Sequence, residues 1–456
     1  MMHKRHIRRW TLVLCLSGIS AAAAQTHDSI TLPEAVDLAL KNNAALAAAQ
    51  QGLSAAQART DQARTGWWPT VSGTASYTNL YPLEKMNLPL PFPIYKDPNT
   101  GYWEVTPKNI PFQLYPADNW DIHVGAEYLL FDFGKRQKAI ALSRIGEHAL
   151  QTGTDLAAKA VSYQTIIAFE SLLGSAQLIA AKQENIGNLK EHLDFVKKRL
   201  ATGSATEFDV LRSEVDLTNS QTELTNLNND HAKQQIDFRL LLGLAESAPA
   251  NCTGNFDSSF KEPPKDSLID EALKQRTEIA LLDTAMKIAQ VQLSLARLEM
   301  TPALTAHVSA GEKNGYFPNL DQLQFNTVAA AQITAPIFDG RRTHYHIMEL
   351  KAHLDSLRIM HDDLLRRVRT DVLKAIADVK SAHENLSEAA ENIRLASESR
   401  RIAKLQYEAG VIPNLDLLDA ENKYTQAKFS RVQSEFRYTL SKYALDQVTG
   451  KMPDVK

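Results

Sequence analysis

Residues 371–403 read DVLKAIADVKSAHENLSEAAENIRLASESRRIA, and their spacing indicates which kind of fold to expect. Alanines recur every seven positions, with a second row of larger apolar residues between them: Ala375, Ala382, Ala389, Ala396 and Ala403, then Val372, Val379, Leu386 and Ile393. This spacing is typical of a coiled coil, and the alanines let neighbouring backbones approach closely. Residues 341–409 contain neither proline nor glycine, so these 69 residues predict one helix about 100 Å long. Such a helix is too long for a compact domain.

The chain also contains an internal duplication. Phe131-Asp132, Gly203 and Asp209 return 207 residues later as Phe338-Asp339, Gly410 and Asp416, whereas Ala39-Leu40-Lys41 and Pro69 return 233 residues later as Ala272-Leu273-Lys274 and Pro302. The change of offset gives the first unit 26 extra residues between Pro69 and Phe131. Because this interval is rich in proline, it predicts a loop, either a tolerated surface insertion or a binding loop.

The duplication sets the domain boundaries. We expect a secretory signal peptide at 1–24, from its basic start, its apolar stretch Trp10–Ile19 and the small residues Ala22–Ala24. The first repeat then covers 25–243, a linker 244–267, the second repeat 268–450 and a C-terminal tail 451–456. Leu14 precedes Cys15 where a lipoprotein signal needs a small residue, which argues against lipidation. Cleavage leaves Cys252 as the only thiol, so an intramolecular disulfide is excluded.

Each repeat predicts one long helix and two shorter ones. The second long helix is Lys135–Thr202, and the shorter ones are Glu34–Trp68, Asp209–Gly243, Leu268–Thr301 and Leu417–Gly450. Two of the shorter helices, stacked end to end, match the length of one long helix. The repeats therefore predict a wall of helices about 100 Å tall.

Alternating apolar and polar residues predict two strands in each repeat, at 71–77, 120–128, 304–310 and 325–333. The alternation suits transmembrane β-strands and equally a soluble sheet that is packed on one face. We find no apolar run of about 18 residues beyond the signal peptide, so a membrane role would have to use strands. Four strands cannot close a barrel, and a membrane barrel would require two or three copies of the chain.

Composition and motifs exclude several other functions. The formal charge is −3, or −7 without the four basic residues of 1–24, which makes nucleic acid a poor partner. The sequence has no P-loop and no dinucleotide glycine motif, and no nucleophile and base that would suggest an enzyme, so we expect no cofactor. His344 and His346 point apart on a helix, so we expect no metal site there either.

The motifs, taken in order, resemble those of the TolC family of bacterial outer-membrane efflux proteins. They are Ile30-Thr31-Leu32-Pro33-Glu34-Ala35, Ala39-Leu40-Lys41-Asn42-Asn43, Pro69, Phe131-Asp132, Tyr407-Glu408-Ala409-Gly410 and Asp416-Leu417-Leu418-Asp419-Ala420. The resemblance implies a mainly α protein with membrane β-structure: a homotrimer with a twelve-strand outer-membrane barrel, a periplasmic helical tunnel and an equatorial belt. It also implies a periplasmic adaptor and an inner-membrane pump as partners. The competing interpretation is a periplasmic coiled-coil structural protein that transports nothing.

The resemblance also assigns functional residues. Gly203 and Gly410 end the long helices, so their turns should form the tunnel mouth, with a gate made by Asp209, Asp416, Asp419 and Tyr407. The carboxylates could instead be simple helix caps. We expect the adaptor to dock on Gly203, Ser204, Ala205, Gly410, Val411 and Ile412. At the other end, residues 79–119 should face the cell exterior, and the linker 244–267 with its inert Cys252 should lie in the belt.

Overall fold

A computed structural model describes residues 29–83, 85–256 and 259–453. The predicted signal peptide lies outside these residues, as does the end of the predicted tail. The first half contains α1 (Leu32–Asn42), α2 (Ala44–Arg64), β1 (Thr70–Asn79), β2 (Lys85–Lys96), β3 (Trp103–Gln113), β4 (Asp118–Phe131), α3 (Lys135–Ala201) and α4 (Glu207–Leu242). The second half contains α5 (Lys265–Gln275), α6 (Thr277–Ala296), β5 (Ala303–Lys313), β6 (Gln324–Thr334), α7 (Arg342–Glu408) and α8 (Asn414–Thr449).

The two long helices, α3 and α7, have 67 residues each, as the heptads and the missing prolines predicted. The predicted seam of α7 is buried at Val372, Val379 and Leu386. Both helices begin in the same way. Asp132 Oδ2 accepts a hydrogen bond from the Arg136 amide at 2.8 Å, and Asp339 Oδ2 accepts one from the Thr343 amide at 2.8 Å. The repeated Phe-Asp pair of the sequence is therefore a helix-starting signal.

The shorter helices correct the sequence prediction. The predicted helices Glu34–Trp68 and Leu268–Thr301 are each broken in two, at Asn43 (ψ 123°) and at Arg276 (ψ 119°). The Asn43 side chain caps α2 by accepting hydrogen bonds from the amides of Ala45 and Leu46 at 3.0 and 3.3 Å. An asparagine that bonds the backbone ahead of it competes with helix continuation, and this competition explains the first break.

The end of a neighbouring helix contacts each break. A Cβ atom on Gly243, just after α4, would lie 2.7 Å from the Asn42 carbonyl oxygen. A Cβ atom on Gly450, just after α8, would lie 2.7 Å from the Gln275 carbonyl oxygen. The two glycines therefore permit equivalent close contacts between α4 and the α1–α2 break and between α8 and the α5–α6 break.

The main sheet is antiparallel, with the strand order β1-β4-β5-β6. Its register gathers the apolar residues on one face, as in the row Val71, Ala126, Val308 and Ala329. Polar residues share the other face, as in the row Ser76, Asp121, Lys313 and Gln324. Within the described residues, the outer edges of β1 and β6 have no partner strand.

Residues 79–119 do not form the strand-free loop that the sequence predicted. They contain β2 and β3, which pair with each other in a separate two-stranded sheet. Prolines lie in this ladder, with Pro89 opposite Asn109 and Pro91 opposite Pro107. Each strand of an isolated hairpin has an outer edge that needs no donor, so a proline is tolerated there more easily than in a central strand.

The sequence predicted no apolar run that could span a membrane, but two helical stretches meet that requirement. By length and composition alone, Lys135–Ala201 and Lys265–Ala296, the latter broken at Arg276, could cross a membrane. In the structure α3 packs against α1, α2, α4, α6 and α8, so its apolar side chains serve contacts between helices.

Candidate functional site

The two turns at the ends of α3 and α7 have the same geometry. Gly203 has a φ of +74° and Gly410 a φ of +73°, the left-handed conformation that glycine adopts without strain. The Ser204 amide donates to the Arg199 carbonyl at 2.8 Å, and the Val411 amide donates to the Gln406 carbonyl at 2.8 Å. The turns thus arise from the same helix-ending motif in both repeats.

The residues predicted to dock an adaptor divide into two groups. Gly203, Ser204, Gly410 and Val411 are exposed. Ala205 and Ile412 are partly buried, and they pack against a small apolar cluster made by Val196, Ala403, Tyr407, Leu417 and Ala420. The cluster joins the end of α3 to α7 and α8, so it fixes the position of one turn relative to the other.

The predicted gate residues lie in different surroundings. Asp209 forms a capping box with Thr206, because its Oδ2 accepts from the Thr206 amide at 3.0 Å and its own amide donates to Thr206 Oγ1 at 3.2 Å. Asp416 is exposed in the first turn of α8, and Asp419 pairs with Lys423 at 2.7 Å. Tyr407 is buried, with 5% of its surface exposed, and burial raises its pKa.

Asn414 joins two helical hairpins, α3–α4 and α7–α8. The sequence did not predict this contact. Its side chain is buried, 4% exposed, and its Nδ2 donates to the Asp209 carbonyl and to Ser213 Oγ, both at 3.3 Å. A carbonyl oxygen can only accept, so Asn414 Oδ1 must face His192 Nε2, which lies 2.7 Å away. His192 must therefore carry a proton on Nε2. An asparagine at a helix start reads as an ordinary cap, so the sequence gives no signal for this bridge.

Arg199 provides a second link between the hairpins. Its Nη1 donates to the Tyr407 carbonyl at 2.8 Å, and its guanidinium carbon lies 4.9 Å from the centre of the Tyr407 ring. The carbonyls at the end of α7 carry partial negative charge, so a cation there is favourable. The basic residue at this turn comes from α3, since the two residues that directly follow Gly410, Val411 and Ile412, are apolar.

A polar cavity of about 210 Å³ lies beside these links, between α3, α7 and α8. Its lining includes His192, Arg400, Lys404 and Glu421. Glu421 is 9% exposed, and one of its oxygens lies 3.7 Å from Arg400 Nε. Burial raises the pKa of Glu421, and Arg400 and Lys404 partly offset the rise. Burial lowers the pKa of His192, and the bond to Asn414 opposes that change.

The acidic and histidine side chains near these turns form no metal-binding group within the described part of the chain. None of its groups of three or more His, Cys, Asp or Glu side chains could hold a metal ion. The site is therefore a hydrogen-bonded joint between two hairpins, with exposed acidic side chains next to it.

Comparisons with known proteins agree with this architecture. Outer membrane efflux protein BepC of Brucella suis biovar 1 is 21% identical over 438 residues, covering 96% of this chain and 89% of BepC. The outer-membrane protein OpmQ of Pseudomonas putida is 23% identical over 296 residues, covering 63% of this chain and 60% of OpmQ.

Solved structures show the same fold. The CmeC outer membrane channel of Campylobacter jejuni superposes with a TM-score of 0.74 at 17% identity, covering 92% of this chain and 85% of CmeC. VceC of Vibrio cholerae gives a TM-score of 0.72 at 18% identity, covering 92% of this chain and 96% of VceC. The family model described as "Outer membrane efflux protein" matches residues 35–244 and 268–451, the larger part of both halves. The chain therefore belongs to the outer membrane efflux protein family and is an outer-membrane channel whose helical tunnel lies in the periplasm.

Proposed function

We propose that three copies of this chain form the passive exit duct of a tripartite efflux or secretion system, joined to a periplasmic adaptor and an inner-membrane pump. The observation that carries this proposal is the four-stranded sheet with two unpaired edges at the base of helices about 100 Å long. Four strands cannot close in a membrane, whereas three copies supply twelve. A closed barrel of that size can continue into a helical tunnel.

The helices support the same assembly. Within the chain, α3 packs against α4 and α8, and α8 packs against α7, so α4 and α7 flank this wall of helices. Both flanking helices expose apolar side chains along one face: Phe208, Leu211 and Val215 on α4, and Leu395, Ile402 and Leu405 on α7. In a closed ring, α4 of one copy would cover α7 of the next.

The turns are the proposed tunnel mouth. Asp209, Asp416, Asp419 and Tyr407 would occur three times around the opening, where like charges attract cations. The adaptor would bind the exposed residues of the turns, Gly203, Ser204, Gly410 and Val411. Ala205 and Ile412 would hold the turns in place by packing against the apolar cluster.

The proposal concerns the duct and not one cargo. The names of the relatives refer to different cargoes: CusC of Escherichia coli to cation efflux, OpmQ to pyoverdine export and AprF of Pseudomonas aeruginosa to alkaline protease secretion. In such an assembly the inner-membrane pump would select the substrate, and the duct would let it diffuse out.

Co-purification with the native partners tests this function. We expect the chain to be extracted from outer membranes only with detergent, to run as a trimer, and to bring an adaptor and a pump with it. A deletion strain should become sensitive to the cargo of that pump. A chain that is released without detergent as a periplasmic protein would instead support the coiled-coil structural alternative.

A further inference from the structure

A buried carboxyl group lies halfway along α3, far from the turns. Glu170 is 4% exposed, and its Oε2 has no hydrogen-bond partner among the residues that the structure describes. An ionised carboxylate without full hydrogen bonding is costly to bury, whereas the protonated acid is much less so. The folded chain therefore favours Glu170 with its proton.

The linker runs beside this part of α3. Residues 250–256, which we call the linker segment, form an isolated β-bridge in which Ile30 pairs with Cys252. The Ile30 amide donates to the Asn251 carbonyl at 2.8 Å, and the Thr253 amide donates to the Ile30 carbonyl at 3.1 Å. Cys252 packs against the apolar cluster that contains Phe169, the residue next to Glu170. The linker segment is thus held by hydrogen bonds to Ile30 and Gln235 and by apolar contacts with α3.

Two titratable groups from other elements are coupled to Glu170. The Lys442 ammonium of α8 acts on Glu170, and Glu170 in turn acts on the Cys252 thiol of the linker segment. The helices α1 and α4 contribute apolar side chains to the adjoining cluster, including Ala39 and Phe238. Burial raises the pKa of Glu170 to about 7, and Lys442 offsets only part of that rise. Burial, with the Glu170 charge, also raises the pKa of the Cys252 thiol to about 12.

We propose that the protonation state of Glu170 controls the linker segment that packs beside it: the protonated acid keeps residues 250–256 seated on α3, and ionisation releases them. The carboxyl loses its proton to water, and the released segment lets water reach the carboxylate. Cys252 becomes accessible at the same time, because it is part of the segment that leaves.

The direction of the pH effect follows from the raised pKa. The seated linker segment is most stable below pH 4.5, the reference pKa of a free glutamate. Below this pH, Glu170 is protonated both when the segment is seated and when it is released. Stability falls as the pH rises from 4.5 towards about 7, since only the released state gains from ionisation in that range. Above about 7 both states are ionised and the effect is constant. The released population should rise about tenfold per pH unit within this window, or roughly 300-fold in total.

Hydrogen exchange of the full chain in detergent tests the proposal. After correction for the intrinsic exchange rate, the protection of peptides containing the Ile30 and Thr253 amides should fall roughly 100-fold between about pH 5 and about pH 8, most of it below pH 7. In Glu170→Gln, which stays neutral, the same peptides should remain protected at both pH values.

Glu421→Gln is the matched control, because Glu421 is another buried glutamate with a raised pKa but lies at the far turns. It should leave the protection of the linker segment and its pH dependence unchanged. Labelling of Cys252 gives a second measure: release speeds it in the wild type, whereas the Glu170 charge alone would slow it by disfavouring the thiolate. A flat wild-type protection profile, or the same slope in Glu170→Gln, would overturn the proposal.

Discussion

Asn414 shows how much depends on one side chain at the joint between the hairpins. Asn414→Ala removes the partner of His192 Nε2, whereas the Asp209 carbonyl and Ser213 Oγ each lose one bond but keep the bond between them at 2.8 Å. A buried polar group that loses its partner costs about 1–3 kcal/mol. We expect the amides of the turn at Gly203 to exchange at least fivefold faster than in the wild type, which corresponds to a loss of about 1 kcal/mol of local stability.

Thr218→Ala on α4 provides the comparison for that measurement, since Thr218 is exposed and its hydroxyl donates to the Glu214 carbonyl of its own helix. Its turn amides should exchange as in the wild type. Equal exchange in the two variants would mean that Asn414 does not hold the hairpins together.

Gly243 and Gly203 have similar backbones but different neighbours, which allows another prediction. Both have positive φ, +64° and +74°, so alanine at either position pays about 1–2 kcal/mol for the left-handed conformation. Only at Gly243 would the new Cβ also meet the Asn42 carbonyl, at 2.7 Å. Gly243→Ala should therefore lower the midpoint of thermal unfolding, followed by circular dichroism, clearly more than Gly203→Ala does. Equal shifts in the two variants would mean that the close contact with Asn42 does not explain the glycine at position 243.

At this scale the sequence predicted part of the site. The Thr206 and Asp209 cap and the turn glycines follow from local patterns that need only a few neighbouring residues. Asn414 and Arg199 could not be predicted, because their partners lie more than 200 residues away in the chain.

At the scale of elements, the hairpin β2–β3 gives a prediction about topology. Its tip, around Asn99, is exposed, and it belongs to the long connection between β1 and β4. Outer-membrane barrels place their long loops on the cell exterior. In a Cys252→Ser background, we expect Asn99→Cys to react with a membrane-impermeant maleimide in intact cells, and Ser204→Cys to react only after lysis. Labelling of Asn99→Cys only after lysis would reverse the assigned orientation.

The elements also show where periodicity suffices and where it fails. The heptads predicted α7, and the alternation predicted β1, β4, β5 and β6, because each of these patterns repeats over many residues. The break at Asn43 interrupts an alanine-rich helix, and the end of α4 packs against it. Tertiary contacts of this kind leave no periodic trace. The β2–β3 hairpin was missed because prolines argued against strands, although an isolated hairpin can accommodate them.

At the scale of the whole molecule, the acidic residues of α8 test the proposed mouth. Asp416→Ala combined with Asp419→Ala removes two exposed carboxylates per chain and leaves the Asp209 cap intact. In planar bilayers we expect a higher single-channel conductance, or loss of block by multivalent cations, while trimers still assemble.

Asp230→Ala is the control for this experiment, because Asp230 is an exposed carboxylate that pairs with Lys233 on the same helix, away from the turns. It should leave conductance and block as in the wild type. If the double variant also leaves conductance and block unchanged, Asp416 and Asp419 act only in stabilising the start of α8.

The unpaired strand edges constrain how the protein is made. Among the residues that the structure describes, a single chain presents the open edges of β1 and β6 together with the apolar face of its sheet. Exposed edges of this kind act as templates for aggregation, and the same edges cannot enter lipid alone because their amides would be unpaired. A single chain is thus prone to aggregation in water and unstable in the bilayer. If the chains form the proposed trimer, their association has to be coupled to membrane insertion, and a periplasmic chaperone would have to cover the sheet until the other two chains bind.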